Sequence, residues 1–360
     1  MLDFNKDQFL KLSRSAYATQ RESHKVIFGS NVTNFIEINL LDKHIVEILE
    51  KLALGCRTDD LKLTYPDQVD MVQIIAEELY EKGLLEADTL ELPTEFLRFD
   101  RQLLFLSDTL KVPVSSAIEL QKKIMNTNVA VLGVGGVGSY VVRTLAAMGF
   151  GTITLLDFDV VEESNISRQV FYDYRDLGRK KVDVISEKIP HISPNCNVVK
   201  FDKFVNSLED LEEVLSDVDV CVAAIDTPRV KVNEIVSKIP FELNVPTVYG
   251  GSVTNNVIYG PTVKKGLSSC FMCIRGLHSI HNVEDSADLV KKIAVNYTTT
   301  LIDPINTMTA SVMAMEVTKL VTGIKSPMYN RSNMMTLDDY NVTQFRHSDS
   351  TNCPICGPHN

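Results

Sequence analysis

Residues 128–159 read NVAVLGVGGVGSYVVRTLAAMGFGTITLLDFD, and this stretch decides the fold. The short apolar run at 129–132 predicts a β-strand, a glycine-rich turn follows, and residues 140–148 have the apolar spacing of a helix. A second apolar run at 153–156 ends in two aspartates and predicts a parallel strand. The order strand, glycine turn, helix, strand is the unit that binds nucleotides in α/β sheets.

The glycines of this turn have separate tasks. Gly133 permits the tight turn, Gly135 lets backbone N–H groups approach a phosphate, and Gly138 lets the helix lie close to the strand. The phosphate is expected at the positive end of the helix. Asp157 has roughly the spacing of a carboxylate that binds ribose hydroxyls, and a purely structural turn would leave it unexplained. The predicted nucleotide-binding residues of this stretch are Gly133, Gly135, Gly136, Gly138, Asp157 and Asp159.

The composition limits the class of protein. A chain of 360 residues, 44% hydrophobic and 23% charged, can form one large α/β domain and a smaller one. The net charge of -11 disfavours a nucleic-acid partner, because phosphate neutralisation needs a concentrated basic surface. Residues 1–14 do not resemble a signal peptide, and no apolar run approaches the roughly 20 residues of a membrane span. We therefore expect a cytoplasmic enzyme without a membrane partner.

Four of the seven cysteines form two C-x-x-C pairs, Cys270 with Cys273 and Cys353 with Cys356. Two such pairs in a reducing compartment predict a tetrahedral zinc site, with a redox dithiol as the alternative. Four thiolates leave no coordination position open, so the metal would be structural and would pin the C-terminal tail to the domain.

Residues 1–92 differ from the rest of the chain and predict a small winged-helix-like α+β module. Residues 35–40 alternate between apolar and polar as a half-buried strand does, and Asp42 is a plausible N-cap of the helix that follows. Winged helices often bind DNA, but the glutamates at 77, 78 and 81 would repel phosphate. A strand edge that accepts a peptide is the preferred interpretation, and a dimerisation or packing module is the alternative.

Pro93 marks the expected start of the second domain, residues 93–360. From residue 129 strands and helices alternate, which predicts an α/β fold with a doubly wound, mostly parallel sheet. The predicted elements include strands at 197–201 and 247–249 and a helix at 208–215. Arg168, Lys181 and Asp226 are expected at the carboxyl edge of this sheet, near the phosphate. A triphosphate that expels pyrophosphate needs such extra positive charge and a magnesium ligand, whereas a dinucleotide needs little beyond the glycine backbone. These residues favour ATP over the alternative, an NAD-dependent oxidoreductase.

Together these motifs resemble the ThiF/MoeB family of ATP-dependent adenylating enzymes, over roughly residues 95–360. The resemblance is carried by R-x-x-R-Q at residues 98–102, the glycine loop, N-x-x-R-Q at residues 165–169 and the paired cysteines. It implies that the loop binds ATP, that Asp157 binds the ribose, and that Asp226 holds magnesium. It also implies that Arg101 reaches across a homodimer interface into the partner's site. The further ATP contacts that it implies are Asn165, Arg168, Gln169 and Lys181, with Lys180 as the alternative to Lys181.

The N-terminal module narrows the resemblance. About 90 residues precede the R-x-x-R-Q helix, a layout similar to the peptide-modifying members of the family, MccB of microcin C and PaaA of pantocin. This layout implies an adenylyltransferase that activates a carboxylate of a ribosomally made precursor peptide and releases pyrophosphate. The peptide itself would then capture the acyl adenylate, by cyclisation or as a nucleotide conjugate, in peptide antibiotic biosynthesis.

Two other functions stay open at this stage. One is activation of the C-terminal Gly-Gly of a sulfur-carrier protein, and the other is a catalytically silent peptide-binding subunit. Residues 277–300 contain no cysteine, which argues against a thioester or persulfide intermediate formed in this region.

Overall fold

The structure is a computed structural model that describes residues 2–22, 24–29, 34–39, 42–87, 92–228, 231–277, 300–346 and 352–357. It contains two compact units, residues 1–122 and 123–360. The functional boundary expected at residues 92 and 93 stays a prediction. In the described part of the chain, no helix is long and apolar enough to cross a membrane.

The first unit contains two small antiparallel sheets, of strand order β5-β1-β6 and β2-β3-β4. Its strands are β1 Phe9–Leu12, β2 Tyr17–Glu22, β3 Lys25–Gly29, β4 Phe35–Asn39, β5 Cys56–Arg57 and β6 Leu85–Ala87. Its helices are α1 Lys43–Leu54, α2 Thr58–Thr64, α3 Val69–Glu81, α4 Asp100–Leu110 and α5 Val114–Met125, with 3-10 turns at Pro66–Gln68 and Thr94–Phe99. The division between the units lies within α5.

Local sequence rules explain several of these elements. The Asp42 side chain accepts a hydrogen bond from the His44 N–H at 2.9 Å, which caps α1 as predicted. Ile36 and Ile38 of β4 point into the core of the unit, while the three residues that alternate with them are exposed. Among the described residues β4 pairs with β3 alone, so β4 is an edge strand.

The second unit is built on an eight-stranded sheet of order β14-β13-β12-β11-β10-β7-β8-β9. Its strands are β7 Asn128–Leu132, β8 Thr152–Leu156, β9 Asn197–Phe201, β10 Val220–Ala223, β11 Thr247–Val253, β12 Asn256–Val263, β13 Arg331–Thr336 and β14 Val342–Arg346. Its helices are α6 Gly136–Met148, α7 Glu163–Ile166, α8 Lys181–Ile192, α9 Glu209–Glu212, α10 Lys231–Lys238, α11 Phe271–Arg275 and α12 Asp303–Thr322, with a 3-10 turn at Tyr174–Asp176 and a π-helical turn at Ile239–Leu243.

The strands β9, β8, β7, β10 and β11 are parallel to one another, and the hairpins formed by β11 to β14 add an antiparallel edge. This confirms the predicted mostly parallel α/β sheet. The register pairs Leu132 of β7 with Leu156 of β8 and with Ala223 of β10. The carboxyl ends of these three strands therefore meet at one edge, where the predicted nucleotide site lies. The predicted loop at 277–300 falls almost wholly outside the described residues.

Candidate functional site

The glycine loop connects β7 to α6, and at two of its glycines there is no room for a β-carbon. Gly133 has φ +82°, and a β-carbon there would lie 2.6 Å from the Ala224 carbonyl oxygen. A β-carbon on Gly138 would lie 1.8 Å from the Gly133 carbonyl oxygen. Both positions therefore require glycine, and the close packing predicted for Gly138 is what the loop shows. The first turn of α6 leaves backbone N–H groups unbonded within the helix, as an anion site requires.

Two buried side chains hold the loop at Val134. The two oxygens of Asp157 accept hydrogen bonds from the backbone N–H groups of Val134 and Asp159, both at 2.8 Å. The hydroxyl of Tyr172 donates to the Val134 carbonyl oxygen at 2.6 Å. Burial raises the pKa of Asp157, although the nearby Lys181 charge and these hydrogen bonds oppose the shift. Sequence reasoning missed Tyr172, which no motif marks.

The two neighbouring lysines have different environments. The Nζ of Lys181, whose side chain is only 5% exposed, forms an ion pair with Asp159 at 2.8 Å. The Nζ of Lys180 instead donates to the Phe158 carbonyl oxygen and to Asp202, at 2.8 and 3.0 Å. Lys181 is therefore grouped with Asp157 and Asp159, the two aspartates predicted for the nucleotide site, and Lys180 is not.

The segment predicted to contact ATP forms a turn around α7. The side-chain oxygen of Asn165 accepts from the Glu162 N–H at 3.2 Å, and its carbonyl oxygen accepts from the N–H groups of Arg168 and Gln169. Asn165 and Gln169 are buried. The Arg168 guanidinium donates to the Ser164 carbonyl oxygen, so in this arrangement it lies along its own turn.

Asp226 lies where the sequence predicts it, just past the carboxyl end of β10. Ala224 of this connection donates its N–H to the Leu132 carbonyl oxygen at 2.9 Å and also touches Gly133, so the connection lies beside the glycine loop. The Asp226 side chain is exposed and accepts a hydrogen bond from the Thr227 hydroxyl at 3.1 Å. An exposed carboxylate at this edge is suited to bind a hydrated magnesium ion.

Asn306 is the second residue that sequence reasoning missed. It lies in the first turn of α12 and is 1% exposed. Its side-chain nitrogen donates to the Arg168 carbonyl oxygen at 3.0 Å, and a β-carbon on Gly136 would lie 2.3 Å from that nitrogen. The signal that could have found it is an amide in the first turn of a long helix, directly after the apolar Ile305.

Arg101 belongs to the first unit. It lies at the start of α4 with an exposed side chain, and Arg98 stacks on the Phe99 ring at 4.9 Å. Gln102 donates to Gln121 at 2.6 Å, which joins α4 to α5. The predicted contact of Arg101 with a partner's nucleotide stays a prediction.

The four paired cysteines converge on one point, as predicted. Their sulfur atoms all lie within 4.8 Å of one another, and the Cys270–Cys353 and Cys273–Cys356 sulfurs are each 3.7 Å apart. A tetrahedron of zinc–sulfur bonds of about 2.3 Å has edges of about 3.8 Å, so the donor set fits zinc. Burial raises the pKa of the Cys270 thiol to about 12, so the cluster needs a cation to hold this group as a thiolate. Of the three cysteines outside the cluster, Cys221 is buried within β10, where a thiol behaves as a small apolar side chain.

Residues 100–355 match the model of the ThiF family, and the chain belongs to this family. It is therefore an ATP-dependent adenylyltransferase. The sulfur carrier protein ThiS adenylyltransferase of Escherichia coli is 24% identical over 275 residues, which cover 74% of this chain and 97% of that protein.

Solved structures of two proteins are similar over nearly the whole chain. The crystal structure of E. coli MccB with ATP and the structure of MccB in complex with N-formylated MccA each have a TM-score of 0.80 at 22% identity and cover 97% of this chain and 100% of MccB. The structure of PaaA has a TM-score of 0.73 at 23% identity and covers 94% of this chain and 100% of PaaA. The likeness shows that the N-terminal unit has a counterpart in both folds.

Proposed function

We propose that this protein adenylates a carboxylate of a ribosomally made precursor peptide in the biosynthesis of a peptide antibiotic. The proposal is carried by the N-terminal unit, most of which precedes the ThiF match. The match to ThiS adenylyltransferase uses 97% of that protein but only 74% of this chain, so about a quarter of this chain has no counterpart in that protein. MccB, which was crystallised with the peptide MccA, covers that remainder as well.

The edge of β4 is the proposed site of peptide capture. Its outer side pairs with no other strand among the described residues, and it has the length of a short recognition strand. A peptide that adds as a further strand gains main-chain hydrogen bonds along this edge, and its alternate side chains contact the core face and the outer face. An available strand edge suits a peptide, which can pair with it along the main chain, better than it suits DNA.

ATP is proposed to bind at the carboxyl edge of the large sheet. The triphosphate would lie on the N–H groups of the glycine loop and the first turn of α6, with the ribose at Asp157. The other proposed contacts are Asp159, Asn165, Arg168, Gln169 and Lys181. Asp226 would hold magnesium, which supplies a Lewis acid for the phosphate oxygens.

The proposed reaction is a displacement at the α-phosphorus. A carboxylate oxygen of the peptide forms a bond to the α-phosphorus, and the bond to the bridging oxygen breaks as pyrophosphate leaves with the negative charge. Arg168, Lys181 and the partner subunit's Arg101 would stabilise that charge, so positioning and electrostatics supply most of the rate enhancement. In one route a nitrogen or carbon nucleophile of the peptide loses its proton and attacks the acyl carbon, and the bond to the phosphate oxygen breaks as AMP leaves. In the other route a peptide nitrogen loses its proton and attacks the phosphorus, the bond to the acyl oxygen breaks with release of the carboxylate, and AMP stays attached to the nitrogen.

Exchange of radioactive pyrophosphate into ATP tests the proposal. The purified protein is assayed with a short peptide encoded beside its gene and, separately, with a carrier protein that ends in Gly-Gly. We expect exchange with the peptide and none with the carrier. Exchange with the carrier alone would establish sulfur-carrier activation instead, and exchange with neither substrate would contradict both functions.

A further inference from the structure

The Asn306 side chain connects three segments of the second unit. Its nitrogen donates to the Arg168 carbonyl oxygen at 3.0 Å, and the same nitrogen occupies the space in which a β-carbon of Gly136 would lie. Gly136 is the first residue of α6, and Arg168 belongs to the turn that follows α7. One amide of α12 therefore contacts both segments that the proposed triphosphate site uses.

The orientation of this amide is fixed by its partner. A carbonyl oxygen only accepts, so the group that faces Arg168 is the NH2 and the other atom is Oδ1. Oδ1 is buried, and no donor among the described residues reaches it. A buried acceptor without a donor costs free energy, which a water molecule bound with the triphosphate and its hydrated magnesium ion would offset.

A side-chain amide lies next to each of two glycines of the loop, that of Gln169 next to Gly135 and that of Asn306 next to Gly136. Gln169 Nε2 lies 3.7 Å from the position of a β-carbon on Gly135, an ordinary contact, and Gln169 Oε1 is a second buried acceptor that no described residue satisfies. A β-carbon on Gly136 would lie only 2.3 Å from Asn306 Nδ2, so any larger residue at this position would displace the Asn306 amide. Asn306 thus determines how closely the Arg168 turn approaches the first turn of α6.

We propose that Asn306 is a positioning residue of the nucleotide site. It holds the backbone of Arg168 close to the N-terminus of α6. It thereby sets the distance between the Arg168 turn and the N–H groups that are proposed to bind the triphosphate. This inference rests on the proposal that the glycine loop binds ATP. It predicts that loss of the Asn306 side chain weakens the binding of the triphosphate group and has much less effect on the binding of the nucleoside.

The first test compares nucleotide affinities by calorimetry for the full-length protein, Asn306→Ala and Thr309→Ala. Thr309 is one turn further along α12, is buried, and bonds to Ser252 and Gly251 of β11 at 3.0 and 3.3 Å. We expect Asn306→Ala to weaken ATP binding on the order of tenfold, the effect of one lost hydrogen bond, with a much smaller change for AMP. Each substitution should lower the melting temperature to a similar extent, but Thr309→Ala should leave the affinities for ATP and AMP unchanged.

A double-mutant cycle tests the contact itself. Gly136→Ala should weaken ATP binding strongly in the wild-type background, because its methyl group cannot coexist with the Asn306 amide. In the Asn306→Ala background the closest obstruction is gone and the Arg168 carbonyl oxygen at 3.3 Å is the next atom, so Gly136→Ala should weaken ATP binding far less there. Additive effects, or equal ATP affinity for Asn306→Ala and wild type, would overturn the inference alone. Failure of the unaltered protein to bind ATP would overturn the proposed nucleotide site together with it.

Discussion

Asp157 uses both carboxylate oxygens to fix the backbone of the glycine loop and of its own turn. Each oxygen of a carboxylate has two acceptor directions, so one direction per oxygen stays available for a ribose hydroxyl. The proposed ribose contact and the observed structural contact are therefore compatible. The two backbone N–H donors, each 2.8 Å from one oxygen, explain why a short side chain with two acceptor oxygens suits this position.

Some site residues were predictable because backbone geometry within one strand-helix-strand unit dictates them. Gly133, Gly138 and Asp157 belong to this group. Tyr172 and Asn306 do not, because each acts on a backbone group distant in sequence, 38 residues away for Tyr172 and 138 for Asn306. Their positions follow from the tertiary packing of the segments, which no local pattern encodes.

Asp226→Asn tests the proposed magnesium ligand. The change removes a hard anionic oxygen while keeping the size of the side chain, so turnover should fall on the order of a hundredfold or more with the fold retained. The matched control is Asp219→Asn at the opposite end of β10, where the carboxylate accepts from the Asn128 N–H at 2.8 Å. Pyrophosphate exchange measures both variants. Activity of Asp226→Asn within a few-fold of wild type would assign the metal to another residue.

The sequence predicts which segments form helices and strands more accurately than where each helix or strand begins and ends. The sequence predicts a helix at 208–215, but the α-helix is limited to Glu209–Glu212, and the strand predicted at 247–249 extends to Val253. The strand is longer because β11 continues through a bulge to pair with β12, a tertiary contact that Gly250 and Gly251 do not reveal. Strand 197–201 agrees with its prediction to the residue.

The cysteine cluster carries a prediction about the C-terminal segment. Metal analysis should find about one zinc per chain. Cys353→Ser should lower the melting temperature on the order of 10 °C because it releases one thiolate ligand and loosens the segment. Cys56→Ser, which alters a thiol of β5 outside the cluster, is the matched control and should retain the zinc. A protein purified without chelator and found free of zinc would contradict the metal assignment.

The edge of β4 carries a prediction about peptide binding. A proline in the pairing segment of the precursor peptide removes a main-chain donor, so it should weaken binding at least on the order of tenfold. An alanine at the same peptide position is the control, because it keeps the N–H and removes the side chain. Calorimetry measures both peptides. Unchanged affinity for the proline peptide would exclude strand addition as the mode of capture.

At the scale of the whole molecule, Arg101 belongs to the first unit, whereas the proposed nucleotide site belongs to the second. The R-x-x-R-Q motif that contains it is one of the motifs that carry the resemblance to the family, and the exposed Arg101 side chain can reach another subunit. The sequence predicts this role from the resemblance alone, because a contact between subunits leaves no periodicity in either chain. A twofold dimer with an arginine supplied in trans is therefore a proposal that needs its own experiment.

Mixing two inactive variants tests whether the site is shared. An arginine supplied in trans stabilises charge that develops in the transition state, so Arg101→Ala should depress turnover far more than ATP affinity. When Arg101→Ala and Asp226→Asn are mixed in equal amounts and exchange subunits, about half of the dimers are mixed, and each has one site without a lesion. Activity should then return to roughly a quarter of the wild-type value. Wild-type protein mixed with each variant controls for the exchange. Verified mixed dimers that stay inactive would show that Arg101 acts within its own subunit or has only a packing role.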